Sequence, residues 1–411
     1  MASVEVELGV TPETTYSIAG KQIKFDSHAD IEPYLKEFES KDKVSKINFS
    51  GNTIGIEASE SLSKSLLKHK DTIVEIDFSD LYTGRLNTEI PQSLEFLLPS
   101  LLKLPNLKLL NLSDNAFGLQ TIDPIEAYLP KAITLDHIIL SNNGMGPFAG
   151  ARIGKALYKL SQAKKTANKP SLKTFICGRN RLENGSINYL AIGLRNHQDL
   201  QVVKLYQNGI RPTGISKLIS KGLSHNKNLT IVDLQDNTIT TQGSIELADS
   251  ISNWSKLVEL NLNDCLLKAK GSLALVESLS KIKLPSLKLL KLQYNELEND
   301  SLSKLVKVIQ DNLPNLKSLE LNGNRFEEDS DLIEKINDIF TERGFGELDD
   351  LDDLEEIDSE DEDEDDDETN DDEADDEDLD QLEKELASLD LNQNDKAVDD
   401  IADELSKAHI K

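Results

Sequence analysis

Two cysteines, one tryptophan and two methionines are all that the 411-residue chain holds of those types, and aromatic residues make up only 5% of it. So few cysteines exclude a disulfide-stapled scaffold and fit a reducing compartment. The opening MASVEVELGV has neither a basic region nor an apolar core of signal length, so no secretory leader or membrane anchor is expected. The six histidines are scattered, and none forms a zinc-binding pair at helix spacing. No GxSxG elbow occurs. The nearest approach to a phosphate loop runs from Gly150 to Ala156, is one residue short, and lacks the hydroxyl that would hold Mg²⁺. Its Lys155 is expected on the solvated face of a helix. No enzyme active site of the chain's own is therefore expected. An excess of basic charge is missing too: the formal charge is −30. Residues 1–346 carry 42 acidic and 41 basic side chains, whereas 347–411 carry 33 and 4. A near-neutral body joined to a polyanion excludes nucleic acid as a partner on electrostatic grounds.

What the chain does have is a repeat. Ten times between residues 44 and 324 an apolar residue is followed by two of any kind, an apolar, one of any kind, an apolar, two of any kind, and then usually Asn. Leu107, Leu110, Leu112 and Asn115 make one copy, and Leu135, Ile138, Leu140 and Asn143 the next. The closing residues are Asn52, Leu81, Asn115, Asn143, Asn180, Asn208, Asn237, Cys265, Asn295 and Asn324, mostly 28–30 residues apart, with longer steps of 34 and 37. This is the signature of a leucine-rich repeat. The apolar triplet alternates with period two, so each copy contributes a short strand with one buried face. The Asn turns the chain, and its amide can satisfy loop backbone groups left unpaired. The room left in each repeat suits a helix. The expected fold is an α/β leucine-rich repeat solenoid, a horseshoe with parallel strands on the concave face and helices outside. Cys177 and Cys265 lie on strands three apart, roughly 14 Å from each other and beyond disulfide reach. Both are expected to be structural.

The array needs ends. Residues 1–43 lack the repeat and are expected to form an N-terminal cap, with a short hairpin around YSIAGKQIKF and a helix in HADIEPYLKEFE. The array is expected over 44–346, closed by an amphipathic helix from about Asp329 to Thr341. From Glu347 to Asp380, 25 of 34 residues are acidic and none is basic, which predicts disorder. In the tail over 381–411, Leu382, Leu386, Leu389 and Leu391 continue a helical spacing begun by Leu379. That spacing also fits the loose pattern of a nuclear-export signal.

A binding surface is expected at the strand ends. Just before each closing residue stands a variable one: Gly51, Asp80, Asp114, Asn142, Arg179, Gln207, Asp236, Asp264, Tyr294 and Gly323. This mixed polar row on the rim suits a protein partner better than a lipid or a polyanion. The first overlong repeat carries its surplus in LYTGRLNTEIP, the loop leaving the strand, which is expected to display Arg85. Arginine suits planar, charge-assisted recognition of carboxylate or phosphate. The surplus of the second, around KKTANKPSLK, falls on the opposite edge and reads as a spacer.

Several segments resemble the Ran GTPase-activating protein family. They are FSDLYTGR (78–85), LSDNAFG (112–118), LSNNGMGPFAG (140–150), ICGRNRLENGS (176–186), LYQNGIRP (205–212), LQDNT (234–238), LNDCLL (262–267) and ELNGNRF (320–326). The fungal form is the better match, because an acidic tail and a short C-terminal segment follow the array. The resemblance implies an activator of the small GTPase Ran that acts in the cytoplasm, near the nuclear envelope or shuttling through the nucleus, in support of nuclear transport. It implies a mechanism without an arginine finger, in which the rim fixes Ran's own glutamine over the attacking water. The matching asparagine is Asn142, and the family's important arginine matches Arg85, which would anchor Ran or support its switch region. Asp80, Asp114, Asn115, Arg179, Asp236 and Asp264 are further contact candidates. The implied partner is Ran-GTP, with Ran-binding proteins as further partners, and the chain is expected to be a monomer. It needs no cofactor of its own, since Ran holds GTP and Mg²⁺. The alternative left open is an acidic-tailed histone chaperone or another protein-binding scaffold.

Overall fold

The computed structural model describes residues 8–327, 330–355 and 378–388. Its centre is a parallel sheet of twelve strands in unbroken sequential order, except that the strand Lys24–Phe25 pairs separately with Thr53–Ile54. Each repeat strand is three residues long, from Lys46–Asn48 and Glu75–Asp77 to Ser318–Glu320. The middle residue of each points inward: Ile47, Ile76, Leu110, Ile138, Phe175, Val203, Val232, Leu260, Leu290 and Leu319 are all buried. Register is set by that pattern, because a one-residue slip would turn every one of these side chains to the open face. Helices follow the strands and bury their apolar stripes against the same core, which runs as one cluster from Tyr16 to Leu351. The chain is a leucine-rich repeat solenoid. Among the described residues no helix is long and apolar enough to cross a membrane.

The closing asparagines form a ladder through the core. All eight are buried. The Asn180 Oδ1 accepts the backbone N–H of Asn143 at 2.9 Å, while its Nδ2 donates to the carbonyls of Leu140 and Gly178 at 2.9 and 3.1 Å. The Asn180 N–H in turn donates to Asn208 Oδ1 at 2.8 Å, so each repeat is stitched to the next. At Cys265 the thiol takes the place of the amide, donating to the Leu234 carbonyl at 3.3 Å. Burial pushes the Cys177 thiol up to about 12 and raises that of Cys265 as well, which suits packed rather than reactive sulfurs.

Both ends differ from expectation. The N-terminal segment makes no hairpin. Thr15–Ser17 pairs in parallel with Lys46–Asn48, so the cap is a degenerate repeat. An edge strand in this sheet is best covered by a parallel copy of the motif, and that requirement overrides the local turn signal. Aromatic rings close this end, with Phe25 at 5.3 Å from Tyr34 and Tyr16 at 5.5 Å from Phe38. At the other end the helix Asp331–Arg343 is capped by Ser330 and terminated by Gly344 in the left-handed region. The first nine residues assigned to the acidic segment then fold. Glu347–Leu348 pairs with Ser318–Glu320, and Leu351 is buried. Asp349 accepts from the backbone N–H groups of Leu321 and Asn322 at 2.7 and 3.1 Å. A carboxylate is the acceptor those exposed N–H groups need, which composition alone does not reveal. Residues 356–377 and 389–411, on which most of the expected disorder falls together with Leu389 and Leu391, lie outside the described residues.

The two surplus lengths also resolve. The first is the loop 82–88 before the helix Glu89–Leu101. The second is partly helix: Gly146–Thr166 runs for 21 residues, and only the following loop is left as spacer. Lys155 on this helix is 4% exposed, with its ammonium 4.5 Å above the Tyr189 ring, and not solvated as expected. The tight approach of the helix Ile187–Arg195 covers it, because Gly154 leaves no Cβ between the two helices.

Candidate functional site

The residues before the ladder share one backbone conformation. All ten, from Gly51 and Asp80 to Tyr294 and Gly323, have positive φ, between 46° and 70°. Seven are Gly, Asn or Asp, the types that tolerate this region. Arg179, Gln207 and Tyr294 hold it although each is disfavoured there, at a cost of about 1–2 kcal/mol per residue. The left-handed turn separates neighbours sharply: the closing residue goes into the core and the one before it stays at or near the surface, except at Gly323, which lies under the Tyr294 ring.

Asn142 is exposed, and its Nδ2 donates to Asp114 Oδ1 at 2.6 Å. That bond orients the amide and leaves the carbonyl oxygen available as an acceptor. The Asn142 backbone N–H donates to the Gly178 carbonyl at 2.8 Å, which ties it to the turn that carries Arg179. Arg179 is exposed and makes no ion pair among the described residues. Further along, Gln207 Nε2 donates to Asp236 Oδ2 at 2.6 Å. Partial burial and then the neighbouring charge of Asp236 raise the Asp264 carboxyl. Asp80 accepts from the Thr83 hydroxyl within its own loop. Asp80, Asp114, Asn142, Arg179, Asp236 and Asp264 therefore share one rim.

Two expected site residues are elsewhere. Asn115 is a ladder member, 1% exposed; its Oδ1 accepts Leu81 N–H at 2.7 Å and its Nδ2 donates to the Phe78 carbonyl at 2.8 Å. It is saturated and closed to a partner. Arg85 is not displayed either: its side chain is 5% exposed and turned into the N-terminal cap. Nε donates to Thr53 Oγ1 at 2.8 Å, Nη1 to Asp26 Oδ1 at 2.5 Å, and Nη2 to the Phe25 and Thr53 carbonyls at 3.1 and 3.2 Å. The planar fork that suits a ligand also suits two adjacent strand ends, and the cap offers those first. What the loop exposes instead is Leu86, while the neighbouring Asn87 donates to Gln120 of the next loop, which also exposes Leu119.

Tyr206 escaped the sequence reading. Its ring lies across Gly178, where an added Cβ would meet it at 2.5 Å, and its hydroxyl donates to Ser141 Oγ at 3.3 Å. The signal was present, since Gly178 is the smallest and Tyr206 the largest residue at equivalent positions of adjacent repeats.

Comparison with known proteins decides the family. A leucine-rich repeat family model matches residues 225–248. The chain is 54% identical to Ran GTPase-activating protein 1 of Saccharomyces cerevisiae over 295 residues, 71% of this chain and 72% of that protein. The chain belongs to the Ran GTPase-activating protein family. Animal members are more distant and longer: the Xenopus laevis protein is 36% identical over 47% of this chain and 34% of its own length. The Caenorhabditis elegans protein is 38% identical over 49% of this chain and 21% of its own length. Among solved structures, an internalin of Listeria monocytogenes covers 79% of this chain at 19% identity and a TM-score of 0.45. As a family member the chain is an activator of a GTPase, and the rim is where its exposed, conformationally strained side chains gather.

Proposed function

We propose that this family member accelerates GTP hydrolysis by Ran by holding Ran's own glutamine in place with the amide of Asn142. The observation that carries the reading is the Asn142–Asp114 bond, which leaves an oriented acceptor at the rim. An amide can accept from another amide and so align it over an attacking water. No arginine finger takes part: Arg85, the arginine singled out by resemblance, spends its guanidinium on the cap and supports the surface from behind. Asp80, Asp114, Arg179, Asp236 and Asp264 line the docking surface, the acidic members facing basic groups of Ran. Ran brings GTP and Mg²⁺, so the chain needs no cofactor. Acting in the cytoplasm, it keeps Ran·GTP low there and sustains nucleocytoplasmic transport.

Single-turnover hydrolysis of GTP by purified Ran, with catalytic amounts of this chain, tests the reading. Wild type is expected to accelerate the reaction strongly. Asn142→Ala is expected to lower the stimulated rate by about 10²–10³-fold, the scale for removal of one preorganised group, with little change in affinity. No acceleration by folded wild type, or a pure affinity loss in the variant, would overturn it.

A further inference from the structure

The last described segment is the ten-residue helix Leu379–Ser388. Helices this short are marginal alone in water, so tertiary contact has to hold it. That contact is the outer, helical face of the solenoid. Leu379 and Leu386, seven residues apart on one face, are 6% and 4% exposed. They pack against Tyr158 of the helix Gly146–Thr166 and against Ala191 and Ile192 of the helix Ile187–Arg195, with Leu382 beside them. Charge fixes the register. Arg195 Nε donates to Glu383 Oε2 at 3.0 Å, and its Nη2 donates to Asp380 Oδ1 at 2.9 Å. Asn196 Nδ2 donates to Glu383 Oε1 at 2.8 Å, which occupies the second carboxylate oxygen. At the helix start, Asp378 Oδ1 accepts the Asp380 N–H at 3.0 Å.

We propose that Tyr158, Ala191, Ile192, Arg195 and Asn196 form a docking site for an acidic amphipathic helix. The site is filled in cis by residues 379–388, and its occupation withholds their leucine face from any receptor that reads spaced leucines. The sequence pattern at Leu379, Leu382 and Leu386 is thus covered while the helix is docked and readable when it is released. Docking has a second consequence. At the sheet end the Glu355 N–H donates to the Asn324 carbonyl at 3.0 Å. The 22 residues of 356–377, of which 17 are acidic, are then joined to the solenoid at both ends rather than one. The contact is built to be reversible: its ion pairs are partly open to solvent, with the Asp380 side chain 73% exposed, so salt weakens them.

Hydrogen–deuterium exchange on the full chain tests this. In wild type the amides of 382–388 are expected to exchange at least about tenfold more slowly than the unstructured-chain rate. Arg195→Glu should abolish that protection, and Arg195→Glu with Glu383→Arg should restore part of it. Leu386→Asp, outside the solenoid, should abolish it while amides of 187–195 stay protected. Unprotected amides in wild type would overturn the proposal, as would protection that survives both Arg195→Glu and Leu386→Asp. Protection that grows with protein concentration would mean that a second copy, not the chain's own segment, fills the site, and would overturn the cis assignment.

Discussion

Asn142 and Asn143 are adjacent and chemically identical, yet the structure gives them opposite roles. Asn143 is buried at 1% exposure, and its amide donates to the carbonyls of Leu112 and Leu140. Asn142 is exposed at a left-handed turn, with one bond to Asp114 and an acceptor to spare. The same contrast runs along the array. The inner row exhausts its hydrogen-bonding capacity within the chain, and the outer row keeps some for a partner. Residue type says little about which is which; the backbone turn between them says nearly everything.

The largest break in this contrast should come from the inner row. Asn180→Ala strips the Asn143 N–H of its acceptor in a dry interior, and is expected to cost roughly 2–4 kcal/mol in chemical denaturation. Asn142→Ala, which only puts an alanine into an exposed left-handed turn, should cost about 1 kcal/mol in the same experiment. Equal losses in the two would erase the distinction.

Acid should separate interior from rim next. His197 is fully buried, with Nε2 donating to the Leu157 carbonyl at 3.0 Å and Nδ1 accepting the Leu172 N–H at 3.2 Å. Burial lowers its pKa from 6.5 to about 3, and that of His137 to about 4. A histidine held below its unfolded value contributes stability that is fully present above pH 6.5 and is lost as pH falls toward the folded value. The contribution of His197 alone is therefore expected to decline by roughly 3 kcal/mol between pH 6.5 and 4. His197→Gln, which can still donate and accept, should flatten part of that slope when unfolding is followed against pH. An unchanged slope would take His197 out of the account.

The smallest effect sharpens the contrast at the cap. Arg85→Lys keeps the charge but loses the fork, and is expected to destabilise by about 1–2 kcal/mol. Faster hydrogen exchange at Thr53 and Ile54 should report it. With the cap intact at low temperature, the stimulated rate of Ran should be nearly preserved. Collapse of that rate with the cap still closed would move Arg85 from the inner set to the outer one.

Much of this was legible in the residues. Eight closing asparagines, apolar triplets of period two and a spacing near 29 specify strand, turn and helix locally, with little dependence on distant contacts. The rim row was legible as positions but not as a conformation; only the φ values show that Arg179, Gln207 and Tyr294 are held in a turn that their side chains disfavour. Arg85 misled because a glycine-flanked arginine on an insertion looks displayed, while its partners Asp26 and Thr53 are 59 and 32 residues distant in sequence. Lys155 misled for a similar reason, since its cover comes from the next helix.

What the sequence by itself determined is the one-dimensional part of this protein: a repeating unit, its inward and outward sides, and the family to which the motifs belong. A solenoid is built from nearest-neighbour contacts, so a local pattern suffices for it. What only the tertiary structure decided lies where that locality ends. The cap claims Arg85, acidic residues 347–355 fold back on unsatisfied strand ends, and a leucine helix docks on Arg195, 184 residues away from its first residue. Each depends on which donors and apolar atoms remain uncovered once the repeats have stacked, a property of the assembled surface rather than of any segment.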